Sequence, residues 1–192
     1  MKKIAFAFLL TFLLSAPARA GLNAGVTAYE RGDYTTALKE LSPLAEEGDA
    51  AAQYYLGALY ESGFDAAPDY DKAIGWYRRA AAQRFARAQY HLGQLYEIGE
   101  GVERDYTQAA EWYRRAAKGG YAPAQSNLAR LYLKGLGVAQ DYYQSYLWAM
   151  IAMQQGYTPA KKHSKKAAVR LSSGAMTDAQ QRARKWLEDR AQ

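Results

Sequence analysis

Two histidines, His91 and His163, are the first candidates for chemistry. They stand 72 residues apart, and neither belongs to an HExxH pair or another spacing that brings two ring nitrogens to one metal. His91 occupies the position held by Tyr55 and Asn127 in neighbouring units of a repeat described below, and reads as a polar ring on a helix surface. The glycines of the stretch 99–105 (GEGVERD) resemble a phosphate loop, but no strand precedes them and no Lys-Ser or Lys-Thr pair follows, so they read as turn residues. The adjacent acids Glu46 and Glu47 read as solvated side chains. The chain has no cysteine, which excludes disulfides, zinc-thiolate sites and a cysteine nucleophile. No catalytic residue, metal site or cofactor-binding site is assigned.

The other chemically distinctive group is cationic. Lys161, Lys162, Lys165, Lys166 and Arg170 fall at i, i+1, i+4, i+5 and i+9, one positive stripe on a helix expected over 159–171. Such a stripe is either a solvated face or an electrostatic contact with an acidic protein, an anionic envelope polymer or a lipid head group. Nucleic acid is not the expected partner, because no aromatic residues interleave with these lysines.

What must position these groups begins with a leader. Lys2 and Lys3 form a basic start, Ile4 to Leu14 is an uncharged apolar run, and Ala18-Arg19-Ala20 places small residues where a signal peptidase cuts. Eleven helical residues span about 16 Å, roughly half of a ~30 Å hydrocarbon core, so residues 1–20 read as a cleaved secretory signal and not as an anchor. The expected destination is the periplasm, with secretion as the alternative, and no stable membrane insertion follows cleavage. Loss of Lys2, Lys3 and Arg19 lowers the net charge from +6 to +3. Residues 21–158 then carry −3 and residues 159–192 carry +6, so the basic character belongs to the tail.

A hydrophobic fraction of 49%, a charged fraction of 23% and five prolines describe a folded chain, not a disordered or collagenous one. The 17 tyrosines and four tryptophans against five phenylalanines point to rings reused at equivalent positions. The chain repeats every 36 residues: AQYYLGALYESG from Ala52, AQYHLGQLYEIG from Ala88 and AQSNLARLYLKG from Ala124. Their second halves start at Asp69, Asp105 and Asp141, and carry Trp76, Trp112 and Trp148 at one spacing. Segments 52–86 and 88–122 share 19 of 35 residues, too many for compositional coincidence.

Each unit reads as two helices. Ala52, Leu56, Leu59, Tyr60 and Gly63 make one apolar face, and Ala73, Trp76, Tyr77, Ala80 and Ala81 make the next. Asp69, Asp105 and Asp141 sit where they can cap the second helix. Gly57 and Gly93, with the alanines, allow close helix approach, and a neighbouring ring can fill the space. A single helical hairpin cannot bury both faces, so stability requires stacking. Residues 21–50, with the turn around Arg31-Gly32-Asp33, form a degenerate hairpin that caps the stack. Residues 159–192 close its other end: Thr158-Pro159 starts one helix, Ser172-Ser173-Gly174 stops it, and Thr177 with Gln180 forms a capping box for the last. The domain reading is therefore 1–20, 21–50, three repeats at 51–86, 87–122 and 123–158, and 159–192.

The pattern A-x-x-x-L-G-x-x-Y-x-x-G, a loop such as Gly99-Glu100-Gly101-Val102 or Gly135-Leu136-Gly137-Val138, then D-Y-x-x-A-x-x-W-Y-x-x-A-A resembles the Sel-one-like repeat (SLR) family, a branch of the tetratricopeptide (TPR) superfamily. The match covers residues 22–158. It departs at Asp65, which replaces the loop's second glycine and would reshape the stretch 64–68, and at Ala129, Ser145 and Ala149. The resemblance implies an all-α fold, an α/α solenoid in which antiparallel helix pairs wind into a right-handed superhelix, and a role as adaptor or scaffold.

By analogy with tetratricopeptide stacks, the concave groove is lined by Tyr54, Ala58, Glu61 and Ser62, then Tyr90, Gln94, Glu97 and Ile98, then Ser126, Arg130, Leu133 and Lys134. Tyrosines offer apolar area with a hydrogen-bonding tip, and Gln, Glu and Arg can engage a peptide backbone. A cysteine-rich branch of the family has been linked to β-lactam hydrolysis. Here no Ser-x-x-Lys nucleophile motif appears at Ser42, Ser62, Ser126, Ser145, Ser164 or Ser172. The expectation is an exported, monomeric, non-catalytic protein that needs no cofactor and binds another protein or peptide. A peptidoglycan or exopolysaccharide binder is the first alternative and a β-lactamase-like hydrolase the second.

Overall fold

The computed structural model describes residues 16–64 and 67–191. Ten α-helices follow one another: α1 (Ala16–Glu30), α2 (Tyr34–Glu47), α3 (Ala50–Ser62), α4 (Tyr70–Ala82), α5 (Ala86–Ile98), α6 (Tyr106–Lys118), α7 (Ala122–Lys134), α8 (Tyr142–Gln154), α9 (Lys161–Ala168) and α10 (Ser173–Ala191). Each of α1 to α8 packs on the next, which is the connectivity of a solenoid. The apolar run expected to belong to a leader lies outside the described residues, and residues 16–20 begin α1. Among the described residues no helix is long and apolar enough to cross a membrane. Asp65 lies outside the described residues as well.

The aspartates do cap. Asp69 Oδ1 accepts the Lys72 amide at 3.0 Å, Asp105 Oδ1 that of Gln108 at 3.1 Å, and Asp141 Oδ1 that of Gln144 at 2.9 Å. Each satisfies an amide that the first helical turn leaves unpaired, and Asp105 takes a second, that of Thr107, at 2.7 Å. The core between helices is built of small residues and leucines, with Leu56, Leu92 and Leu128 fully buried at equivalent places.

Close approach is decided at one contact in each unit. A Cβ built on Gly57 would lie 2.8 Å from the Tyr77 ring, and one on Gly93 would lie 2.7 Å from the Tyr113 ring. Both rings are buried, so the glycine vacates the volume that the tyrosine of the paired helix fills. In the third unit both partners change together. Ala129 and Ala149 replace them and share one apolar cluster, because without the ring a methyl group fits.

The C-terminal cap differs from expectation in three details. Thr158 lies within a short 3-10 turn, Thr158–Ala160, whose N-cap is Tyr157, and no side chain caps it. The helix that follows is shorter than 159–171: α9 ends at Ala168, where Arg170 and Leu171 turn back to the Ala167 and Ala168 carbonyls. The last helix starts a turn early, because Ser172 Oγ accepts the Ala175 amide at 3.2 Å. Thr177 is therefore inside α10, where its hydroxyl donates to the Ser173 carbonyl, and no capping box forms. Gln180 instead donates to the Tyr146 hydroxyl at 2.9 Å and ties α10 to α8. Ala179 and Ala183 are buried against the stack, and the Trp186 ring meets Trp148 edge-on at 6.3 Å.

Candidate functional site

The expected groove residues all lie on the first helix of each pair, α3, α5 and α7. Between α1, α3 and α5 they surround a hollow of about 310 Å³ lined by Tyr29, Glu61, Ser62, His91, Gln94 and Ile98, with Ala58 in its floor. Ala58 is itself 6% exposed and packs in the core. Ile98 is 59% exposed at the rim, a large apolar side chain left outside the core.

His91 is not a surface ring. It sits among Tyr54, Tyr77 and Tyr90, with ring centroids 5.4, 5.3 and 5.7 Å away. Its Nε2 is 3.3 Å from the Tyr54 hydroxyl, and Nδ1 is 3.3 Å from Glu61 Oε2 without an aligned hydrogen bond. Glu61 also accepts the Tyr77 hydroxyl at 2.5 Å. Burial raises the Glu61 pKa, but His91 and Tyr77 outweigh it and hold the carboxyl below its ordinary value. The opposite happens to Tyr77, whose hydroxyl is pushed far up by burial and then by the Glu61 charge. The unit thus keeps an anion and a neutral phenol side by side.

The next unit repeats the device. Tyr113 donates to Glu97 Oε2 at 2.8 Å, and Arg130 from α7 closes on the same carboxylate at 2.5 and 2.6 Å. Glu97 and Arg130 were expected to face a partner; the structure joins them to each other. In the third unit Leu133 and Ala149 stand where the carboxylate and phenol would be, so the circuit stops there.

Tyr54 and Tyr90 are half-buried in chains of rings. Tyr54 meets Tyr55, Tyr77 and Phe85, while Tyr90 meets Tyr113 and Tyr121, with centroids 5.0 to 5.8 Å apart. Burial, then neighbouring phenols, raise the Tyr54 pKa well above the ordinary phenol value. Ser126 is 4% exposed and does not line the groove. The 3-10 turn and α9 both pack on α7, and Ser126 is buried in that helix. Gln94 lines the hollow and Lys134 is exposed at the far end.

The basic stripe divides. Lys161, Lys162, Lys165 and Lys166 are exposed on α9, whereas Arg170 lies beyond the helix end with its guanidinium 5.8 Å above the Tyr142 ring. His163 on the inner side of α9 is 6% exposed. Burial, and then the charges of Lys162, Arg130, Lys166 and Lys134, lower its pKa to about 4. The cations of α7 and α9 therefore surround one place at the C-terminal end of the groove, while Glu61 and Glu100 lie near its beginning. A residue-by-residue reading of the sequence weighed His91 and His163 and set them aside, and missed the phenols Tyr77 and Tyr113 as partners of the carboxylates. The readable signal was the Glu–Tyr separation of 16 residues, kept in two units and lost at both positions in the third.

A stack of antiparallel helix pairs with a charged, ring-lined face defines a helical repeat protein. The chain belongs to the Sel1 repeat family, whose model matches residues 50–85, 86–121 and 122–157. It is similar to a Sel1 repeat protein from Oxalobacter formigenes, with 41% identity and a TM-score of 0.62 over 67% of this chain and 96% of that one. It is also similar to c5321, a protective antigen of uropathogenic Escherichia coli strains with an SLR fold, at 27% identity and a TM-score of 0.58. That match covers 89% of this chain and 45% of the antigen. No curated protein matches. Sel1 repeat proteins generally mediate protein–protein interaction and are typically non-catalytic.

Proposed function

We propose that the chain is an exported adaptor that holds a segment of another protein against the hollow between α1, α3 and α5. The observation that carries this reading is Ile98: a large apolar residue, 59% exposed, beside a hollow whose walls offer the Glu61 carboxylate and the Gln94 amide. An exposed apolar anchor ringed by polar groups is how peptide-binding surfaces are built. The leader at 1–20 supports a periplasmic or secreted location. A glycan reading gains little from Tyr54 and Tyr90, which are half-buried among other rings at centroid distances of 5.0 to 5.4 Å.

The test is a photoreactive residue at Gln94 or Ile98 in the full-length chain, expressed in its native host and crosslinked in living cells. A discrete protein adduct that disappears when Ile98→Asp is combined with the crosslinker at Gln94 supports the proposal. Adducts to glycan alone overturn it, as does a protein adduct unchanged by Ile98→Asp. Fractionating the same cells tests the location, and a cytoplasmic protein that retains residues 1–20 rejects export.

A further inference from the structure

A second site lies away from the groove, where the turns between repeats line up. Three buried glutamines, Gln53, Gln89 and Gln125, recur every 36 residues, and each donates Nε2 to a carbonyl eight residues earlier, of Ala45, Ala81 and Ala117. Around the first and third, another glutamine completes the circuit. Gln83 Nε2 donates to Gln53 Oε1 at 2.9 Å and to the Gly48 carbonyl at 2.8 Å, and Gln155 Nε2 donates to Gln125 Oε1 at 2.7 Å. The equivalent residue in the middle unit is Gly119, which has no side chain. Among the described residues Gln89 Oε1 accepts no hydrogen bond.

The space is open, a cleft of about 560 Å³ whose walls include Arg84, Gln89, Arg115, Lys118, Gly119 and Arg190. Arg84 is the other departure from the repeat. Gly48, Gly120 and Gly156 hold the equivalent places, all with positive φ, and Arg84 adopts the same left-handed backbone, at φ 63, with a side chain. It is the one non-glycine residue to do so among the described residues, and strain of this kind clusters at functional sites. Arg190 reaches from α10 to the Lys118 and Gly119 carbonyls at 2.7 and 2.9 Å, and so offsets the negative end of α6. Arg115 is held by Glu111 at 3.1 Å and lies over the Trp112 ring. Arg84 and Lys118 have no carboxylate in reach among the described residues. Each helix end contributes roughly half a negative charge, so the ends of α4 and α6, even with Glu111 beside Arg115, do not cancel four cations.

We propose that this cleft binds a small ligand that pairs an amide N–H with a carboxylate, the chemistry of an N-acylated amino acid or a free peptide C-terminus. The amide N–H takes the part that Gln83 and Gln155 play elsewhere and donates to Gln89 Oε1. The carboxylate lies between the Arg84 guanidinium and the Lys118 ammonium, charge-assisted contacts that a neutral amide cannot make.

The test follows backbone amide NMR shifts on titration with N-acetylglycylglycine at constant ionic strength. The amides of Arg84, Gln89, Gly119 and Gly120 should shift and saturate. Acetate, inorganic phosphate and the C-terminal amide of the same dipeptide should each bind at least about tenfold more weakly, the loss of one charged or hydrogen-bonded contact. Gly119→Gln, which rebuilds the missing side chain, should abolish the shifts, and Arg84→Gly should weaken binding several-fold. Should Gly119→Gln not fold, Lys118→Gln supplies the second variant. Phosphate or acetate binding as well as the dipeptide overturns the proposal, and so does dipeptide binding that both Arg84→Gly and the second variant leave unchanged.

Discussion

Arg130 Nη2 lies 2.5 and 2.6 Å from the two carboxylate oxygens of Glu97, joining one repeat to the next. The side chains are 21% and 19% exposed, so the pair is screened far less than a surface ion pair. Tyr113 donates to the same carboxylate. Arg130→Met leaves Glu97 in a half-dry pocket with one phenol, and the expected cost is about 2 kcal/mol. Replacing Glu97 and Arg130 together by Met should cost less than the two single changes added, since no charge is then stranded. Urea unfolding of the four proteins measures the difference, and strict additivity would show the pair to be ornamental.

The Gly93–Tyr113 contact yields a sharper cycle, because the chain contains its alternative solution. Gly93→Ala drives a methyl group into the ring and should destabilise by about 1–3 kcal/mol. Tyr113→Ala opens a cavity and should cost about 3–5 kcal/mol. The double variant recreates the Ala129–Ala149 pair of the third unit, where the added methyl no longer clashes. Its cost should fall short of the sum by at least about 1 kcal/mol, read from the shift in the denaturation midpoint.

The helices were legible because the 36-residue period aligns each residue with two others, and position then identifies the buried face: Leu56, Leu92 and Leu128 are all core. The Asp caps were legible for the same reason. The ends were not, since nothing repeats there. Ser172 and Thr177 are both good N-caps, and only packing of α10 on α8 selects the earlier one. The expected groove residues do share the first helix of each pair, but which of them stay exposed did not follow from the sequence. Whether Glu97 is free or paired depends on Arg130, 33 residues away, and on the stagger between repeats, which spacing within one helix does not encode. His91 was misplaced because its repeat equivalents, Tyr55 and Asn127, are both compatible with a surface ring.

Arg84 sets stability against function. At φ 63 its side chain pays a penalty that glycine avoids, and its equivalents in the other repeats are glycines. Arg84→Gly should therefore stabilise the fold by about 1 kcal/mol, a rise in Tm of about 2–4 °C for a chain of this size. The same change weakens the anion-binding cleft. A lowered Tm would mean that the guanidinium makes a stabilising contact worth more than the strain.

His163 gives the fold an acid sensitivity with a defined window. Its ring is buried on the inner side of α9, facing Lys162 and Lys166 of its own helix and Arg130 and Lys134 of α7, and it titrates at about 4. In the unfolded chain it titrates near 6.5, so between these values the unfolded chain binds a proton that the folded chain refuses. The stabilisation is whole above pH 6.5 and is lost as pH falls to 4, up to about 3 kcal/mol. Glu61 adds to the loss at the acid end: its carboxyl is held below the ordinary value, so its contribution is whole above the ordinary carboxylate range and is lost as pH falls from there through the depressed value. Urea unfolding at a series of pH values should show stability falling from pH 6.5 to 4, and His163→Leu should flatten the upper part of that fall while keeping the loss that the carboxylates cause at its acid end. Lys162→Gln with Lys166→Gln removes two of the cations that face the ring and should raise its NMR-titrated pKa towards 6.5. A His163 titration that ignores both lysines would leave burial, with Arg130 and Lys134 of α7, as the cause, and would separate the α9 cations from the acid response.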